Sequence, residues 1–217
     1  MEAIRTSITS SFQAAIKNIT ANPAGAIILP KVKDSLAERI LPEWVVQTMI
    51  GLEPLQRNRA LLKLLYIAGL RVSEVTQLQW FSLQPRDVGG QVLVYGQGGK
   101  TRAIKLPASL WQELQWLRGD AAIGQPVFTS RKKKGFLLEM QVNRIVKAAA
   151  KRVLGLEETV AQIVSPRWLR HAHASHAMDC GAPVHLVKET LGHANIATTG
   201  RYLHARPTDS SSLYLES

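Results

Sequence analysis

Apolar residues recur at intervals of three and four along most of the chain, which is the spacing of helices that bury one face. This spacing predicts helices that begin near residues 43, 54, 74, 107 and 137. The second of them, over residues 54–68, is apolar on most sides, as expected of a central helix. Trp44 is expected on the buried face of the first helix, and Ser73 is placed to cap the third.

Strict alternation of apolar and polar residues replaces this spacing in one region. Residues 91–95 and 102–106 both alternate, and residues 96–101 between them form a glycine-rich hairpin tip that carries Lys100. Together with residues 81–88 they predict a small three-stranded antiparallel sheet. The tip lacks the strand–loop–helix setting of a nucleotide-binding loop, which excludes an ATP site here.

The densest cluster of polar chemistry lies in residues 165–204. Pro166 can open a helix, and Gly181 can end it. Pro183 can open a second helix, and Asn195 can cap a third. The segment is therefore expected to fold as three short consecutive helices.

Three side chains on these helices suit chemistry on a phosphate group. Arg170 carries a permanently charged fork that matches two phosphate oxygens. His193 follows Gly192, so that its backbone can approach a ligand closely, and Tyr202 offers a hydroxyl nucleophile. Taken singly, each also fits a structural role in packing or in a surface ion pair.

Arg71 lies in the short corner between two apolar helices. A guanidinium in such a corner costs free energy unless a carboxylate or a bound anion compensates its charge. Glu74 is the partner that would orient it. The pair either anchors the corner or prepares Arg71 for an anionic ligand.

The charge balance indicates a polyanionic partner. The 217 residues include 27 lysines and arginines against 16 acidic residues, which gives a net charge of +11 and favours nucleic acid over membrane. The dense basic run of Arg131, Lys132, Lys133 and Lys134 fits phosphate contacts, or else a solvated turn.

The single cysteine excludes an internal disulfide framework. Because the sequence has neither a membrane-length apolar run nor a secretory signal, the protein is expected in the cytoplasm.

Three neighbouring histidines, His171, His173 and His176, raise the question of zinc. His173 and His176 share a helical face, but no acidic or cysteine ligand accompanies them in the sequence. No metal and no other cofactor is therefore expected.

The motifs AGLRVSE, WLRHAHASHA, LGHAN and TTGRYLH stand in an order and spacing that resemble the tyrosine recombinase (phage integrase) family. The resemblance covers roughly residues 31–215 and implies that family's α+β, mostly helical catalytic fold with a small antiparallel sheet. It implies that Arg71 and Arg170 clamp a scissile DNA phosphate and that His193 hydrogen-bonds to it. Tyr202 would then attack to give a 3′-phosphotyrosine, without a metal.

Three features depart from the family pattern. Arg167 stands where the family has a histidine, and an arginine there can still hydrogen-bond to phosphate. Gln97 stands where the family has its hairpin lysine, so that Lys100 is the expected general acid. Residues 1–30 correspond only to a remnant of an N-terminal DNA-binding domain with its linker, and residues 31–217 to the catalytic domain with its tail.

The resemblance implies a prokaryotic site-specific recombinase or integrase that acts on double-stranded DNA. It further implies a homo-oligomer on DNA, expected to be a tetramer, and a monomer off DNA. A degenerate, non-catalytic DNA-binding or regulatory relative is the alternative, which Gln97 and Arg167 favour. A DNA-relaxing topoisomerase of related chemistry also stays open.

Overall fold

The computed structural model describes residues 36–95, 101–130 and 135–205. The predicted N-terminal remnant, Lys100 and the basic run at residues 131–134 therefore lie outside the described residues. The helices are α1 Glu43–Gly51, α2 Gln56–Ile67, α3 Val72–Thr76, α4 Ala108–Arg118, α5 Glu139–Ala150, α6 Glu158–Ile163, α7 Pro166–Asp179, α8 Val184–Leu191 and α9 Ile196–Ala205. The strands are β1 Leu83–Pro85, β2 Gly90–Tyr95 and β3 Thr101–Leu106.

The predicted antiparallel sheet is confirmed, in the order β1-β2-β3. Val92 pairs with Leu83 on one side and with Ile104 on the other, and all three side chains are buried. The first strand is shorter than residues 81–88, because a 3₁₀ turn over Trp80–Ser82 precedes it.

Helix α2 lies at the centre of the core and packs against α1, α4 and α7. Its leucines at positions 61, 62, 64 and 65 are fully buried, as its apolar pattern predicts. The prediction for Trp44 is wrong, since its side chain is 55% exposed. Helix α1 instead turns Val45, Val46, Met49 and Ile50 inward.

The corner before α3 forms differently from the prediction. Ser73 does not cap this helix, because the helix begins at Val72 with Arg71 at the N-cap position. The backbone N–H of Arg71 donates to Glu74 Oε2 at 2.7 Å. Glu74 therefore stabilises the start of its own helix, in the manner of the acidic third residue of a capping box.

The helix predicted over residues 137–154 is shorter, ending at Ala150, and the short helix α6 follows it. The three C-terminal helices form as predicted. Gly181 and Gly192 follow α7 and α8 with φ of 84° and 63°, a left-handed conformation that glycine adopts most readily. Asn195 Oδ1 accepts the backbone N–H of Ala197 at 2.9 Å, which caps α9.

Across the described ranges, no helix combines the length and apolar character needed to cross a membrane.

The sheet packs closely against α4 at Gly90. A Cβ at this position would lie 2.0 Å from the Trp111 ring, which packs against the core. Gly90→Ala is therefore expected to lower the free energy of unfolding by about 1–3 kcal/mol, as overpacked cores do. Urea unfolding measures this change.

Gly51→Ala is the matched control. A Cβ at Gly51 meets no atom within 4 Å, and the residue ends a helix, where alanine is favoured over glycine. This variant is expected to be as stable as the parent or more stable. Equal stability of the two alanine variants would contradict the packing described at Trp111.

Candidate active site

Arg71 is held by its neighbours but stays accessible. Its Nη1 donates to Glu74 Oε1 at 2.9 Å, and its Nη2 donates to the Gly192 carbonyl at 3.3 Å. The side chain nevertheless remains 43% exposed. The predicted Arg71–Glu74 pair is present, and it leaves the guanidinium with donors that face solvent.

Arg102 on β3 is a second partner of Glu74, which no motif or spacing in the sequence indicates. Its Nη1 and Nη2 donate to the two carboxylate oxygens at 2.9 and 2.8 Å, and its Nε donates to the Thr190 carbonyl at 2.8 Å. Such a bidentate pair fixes both position and orientation. Arg102 therefore joins the sheet, the α3 corner and the end of α8.

These hydrogen bonds stabilise the ionised form of the Glu74 carboxyl. Burial acts to raise the pKa of its carboxyl, but the hydrogen bonds from Arg102 and from the Arg71 backbone outweigh it and lower the pKa below the ordinary value. A lowered carboxyl pKa stabilises the fold above the unfolded-state pKa, and this contribution is lost as the pH falls through the folded-state pKa. At neutral pH Glu74 is an anion between two cations.

Arg170 on α7 is buried, with 7% of its surface exposed. Its Nη1 donates to the Gly69 carbonyl and its Nη2 to the Leu191 carbonyl. Burial, followed by repulsion from Arg71, lowers its pKa to about 10, which still leaves it cationic at neutral pH. Since Arg170 binds the carbonyl of residue 191 and Arg71 that of residue 192, the two guanidiniums meet at consecutive peptide groups.

His193 follows directly on the same turn. Its Nδ1 lies 2.9 Å from the hydroxyl of Thr199, which is fully buried. Burial, together with the charges of Arg170 and Arg71, lowers the pKa of His193 to about 4, so that its imidazole is neutral. The turn at residues 191–193 thus assembles two arginines and one histidine, three of the predicted site residues.

Tyr202 on α9 packs in a small apolar cluster with Ile40, Ala174, Val187 and Leu191. Its side chain is only 5% exposed. Burial raises the pKa of its hydroxyl, although the nearby Arg170, Arg167 and Arg201 act in the opposite direction. The hydroxyl is therefore protonated at neutral pH.

The partner of this hydroxyl is His171, whose Nδ1 lies 2.7 Å from Tyr202 Oη. The sequence drew attention to His171 only as a possible zinc ligand, because nothing in its spacing indicates a contact across 31 residues. Burial and the surrounding guanidiniums, Arg167 first among them, lower its pKa to about 4. His171 is thus a neutral imidazole hydrogen-bonded to a protonated phenol.

Arg167 lies exposed in the first turn of α7. Its charge helps to lower the pKa of His171 and acts against the rise that burial causes in the pKa of Tyr202, which places it near that pair. Its contact with phosphate stays a prediction.

The remaining histidines of the cluster have other neighbours. His176 Nδ1 lies 3.0 Å from the Tyr66 hydroxyl, and His173 packs beside Gly69. Among residues 36–95, 101–130 and 135–205, no three His, Cys, Asp or Glu side chains are grouped to hold a metal ion.

The similarity of this chain to known proteins covers most of its length. The family model for the phage integrase family matches residues 41–209. Tyrosine recombinase XerC of Pseudomonas putida is 38% identical over 191 residues, which covers 84% of this chain and 58% of the relative. XerC of Vibrio parahaemolyticus is 33% identical over 196 residues, covering 86% and 60%. The chain therefore spans less than two thirds of the length of these curated relatives.

Solved structures show the same fold. The XerH site-specific recombinase bound to difH substrate matches with a TM-score of 0.63 and 23% identity, covering 84% of this chain and 52% of that one. The Tn1549 transposon integrase in complex with circular intermediate DNA matches with a TM-score of 0.64 and 18% identity, covering 100% and 78%. With the family model matched over most of its length, the chain belongs to the phage integrase family of tyrosine recombinases and has the mostly helical catalytic fold expected from its sequence.

Proposed function

We propose that this chain is the catalytic part of a site-specific DNA recombinase that cuts and rejoins DNA through Tyr202. The observation that carries the proposal is the turn at residues 191–193, which brings Arg71, Arg170 and His193 together one short helix before the tyrosine. Two guanidiniums and a neutral imidazole at one point suit a phosphodiester that gains negative charge during reaction.

In the proposed reaction Arg71 and Arg170 hold the non-bridging oxygens of the scissile phosphate. Tyr202 Oη attacks phosphorus in line with the leaving 5′-oxygen and forms a 3′-phosphotyrosine. Because one phosphate ester replaces another, the bond energy is kept and a 5′-hydroxyl can reverse the step on a second strand. His193 hydrogen-bonds to the phosphate, and its bond to Thr199 fixes the ring for that contact.

The positive charge of the clustered arginines also favours the binding of a DNA phosphate at this site. Arg71 and Arg102 both act to lower the pKa of Arg170, and the carboxylate of Glu74 acts to raise it. A bound phosphate supplies further negative charge. The site is thus electrostatically suited to an anion.

A basic surface on α5 provides contacts for the rest of the duplex. Arg144, Lys147 and Lys151 are exposed and, with Gln162 of α6, line a shallow hollow of about 460 Å³. Contacts of this kind bind phosphates without reading sequence. We propose that this surface and the basic run at residues 131–134 hold double-stranded DNA, since the Tn1549 transposon integrase of the same fold is in complex with DNA.

Exchange between two duplexes requires each of four strands to be cut, and one chain carries one Tyr202. We therefore propose that four chains assemble on DNA and that the chain is a monomer in its absence. The degenerate, non-catalytic reading predicts DNA binding with no covalent step, so that one experiment separates the two.

Tyr202 is expected to become covalently joined to DNA. A randomised library of duplexes, each nicked so that cleavage releases a short strand irreversibly, avoids any assumption about the target site. Adduct recovered under denaturing conditions and mapped by peptide mass should contain Tyr202, and Tyr202→Phe should give none. The matched control Tyr95→Phe, at a 60% exposed position on β2, should react like the parent.

Normal adduct yield from Tyr202→Phe would contradict the assignment of the nucleophile. DNA binding by the parent chain without any adduct would support the non-catalytic alternative.

Arg102 is expected to position the site without touching DNA. In Arg102→Lys the charge remains but the bidentate grip on Glu74 is lost, so that Arg71 loses its fixed orientation. Strand cleavage should slow by on the order of 10- to 100-fold, the cost of a misplacement of about 1 Å, with DNA affinity nearly unchanged. Single-turnover cleavage and fluorescence anisotropy measure the two quantities.

Arg86→Lys is the control, because Arg86 makes its hydrogen bond to Gln91 within the sheet. It should change neither quantity. Equal losses of affinity and cleavage in Arg102→Lys would show instead that Arg102 is a DNA contact.

Lys100 is proposed as the acid that protonates the leaving 5′-oxygen, because the amide of Gln97 cannot donate a proton near neutral pH. The test is a DNA whose 5′-bridging oxygen is sulfur, a leaving group that needs no proton. Lys100→Ala should cut ordinary DNA poorly and the sulfur substrate well. Equally poor cleavage of both substrates would make Lys100 a binding residue.

A further inference from the structure

One buried contact has no part in the mechanism so far. His171 Nδ1 and Tyr202 Oη lie 2.7 Å apart, and both side chains are less than 10% exposed. Bulk water is therefore a poor acceptor for the proton that the tyrosine must lose. In the proposed reaction Arg71, Arg170 and His193 bind the phosphate, and Lys100 protonates the leaving group. None of these residues accepts the proton of Tyr202.

We propose that His171 accepts the proton of Tyr202 as the tyrosine attacks the DNA phosphate. This inference rests on the proposed function, since it concerns the same cleavage step. It makes His171 a catalytic residue, because it contacts the reacting oxygen atom directly.

The step balances as a single displacement. The Oη–H bond of Tyr202 breaks and its proton passes to the lone pair of His171 Nδ1, so that the imidazole must carry its own proton on Nε2 beforehand. The Oη–P bond forms, the bond from phosphorus to the 5′-oxygen breaks, and that oxygen takes a proton from the acid. In the rejoining step the imidazolium returns its proton to Tyr202.

The charges around His171 keep it ready to accept. Burial lowers its pKa to about 4, and four guanidiniums act in the same direction: Arg167 and Arg170 on its own helix, Arg39 from a 3₁₀ turn over Ala37–Arg39, and Arg201 from α9. The imidazole is therefore neutral in the absence of DNA. A bound phosphate offsets these guanidiniums, which makes the imidazole a stronger base at the moment when the proton moves.

Tyr202 needs such a base. Burial raises the pKa of its hydroxyl above an ordinary value near 10, so that very little phenolate exists at neutral pH. The other histidines nearby bind elsewhere, His193 to Thr199 and His176 to Tyr66. Arg167 cannot serve, because a guanidinium stays protonated.

The contact also fits a second role for His171, and the experiment must distinguish the two roles. A hydrogen bond to His171 can also hold Tyr202 buried until DNA draws it out. Removal of a restraint would speed cleavage, whereas removal of a base would slow it. The two roles therefore predict changes of opposite sign.

The test is the pH dependence of cleavage in His171→Asn. The amide oxygen of asparagine can still accept the hydrogen bond near the position of Nδ1 but is not a base, and the sulfur-bridged substrate removes the need for an acid. Between about pH 6 and about pH 9 the parent rate should be flat. The variant should be slower by on the order of 100-fold at neutral pH and should rise by about tenfold per pH unit, as hydroxide takes the proton.

Two controls support the comparison. His185→Asn, at an exposed position on α8, should keep the flat profile of the parent. Incorporation of a fluorinated, more acidic tyrosine should restore much of the rate of His171→Asn and alter the parent little, because a more acidic phenol depends less on a base. His171→Gln is the second variant if thermal unfolding shows that His171→Asn does not fold.

A slower but flat profile in the variant would make His171 a structural residue, and a faster rate at every pH would make it a restraint; either result overturns the proposal. If the parent forms the Tyr202 adduct, the proposed function stands whatever the profile of the variant. If the parent forms no adduct, both fall together.

Discussion

The carboxylate of Glu74 is the group on which the arrangement of the site depends. It accepts hydrogen bonds from the side chain and backbone of Arg71 and from both Nη atoms of Arg102. Since Arg102 also binds the carbonyl of Thr190, the same carboxylate connects the α3 corner, strand β3 and the end of α8. The pair between Glu74 and Arg102 is largely shielded from water, with 10% and 15% of the two side chains exposed, so that loss of either partner would leave the other charge poorly compensated.

With Arg170 of α7 added to the α3 corner, β3 and the end of α8, four elements that are distant in sequence meet at one point. The carbonyls of Leu191 and Gly192 accept from Arg170 and Arg71, because the left-handed conformation of Gly192 ends α8 at these two residues. A Cβ at Gly192 would lie 3.0 Å from Arg102 Nη1, and residues with a Cβ rarely adopt its φ of 63°, so that glycine is favoured at this turn. The site is thus built from backbone carbonyls, guanidiniums and one carboxylate before any DNA binds.

The sequence predicted the parts of this site that local patterns encode. Pro166, Gly181 and Asn195 mark the ends of helices by local rules, and the motifs around Arg71 and Tyr202 identified the family. The roles of Arg102 and His171 could not be predicted, because they depend on contacts with Glu74 and Tyr202 that no spacing along the chain reveals. The predictions for Trp44 and Ser73 were wrong for a related reason. Tertiary packing decides which face of α1 is buried, and the Glu74 carboxylate rather than Ser73 accepts a backbone N–H at the start of α3.

We expect Glu74 and Arg102 to hold Arg71 and Arg170 in position for a phosphate and to stay in place during catalysis. A crystal structure of the chain with nicked DNA and vanadate, which imitates the five-coordinate phosphorus of the reaction, tests it most directly. In this complex we expect Arg71 and Arg170 to donate to the equatorial vanadate oxygens and Tyr202 Oη to be an apical ligand, with both Arg102–Glu74 bonds retained. Vanadate bound away from Arg71, or Glu74 separated from Arg102 in that complex, would contradict it.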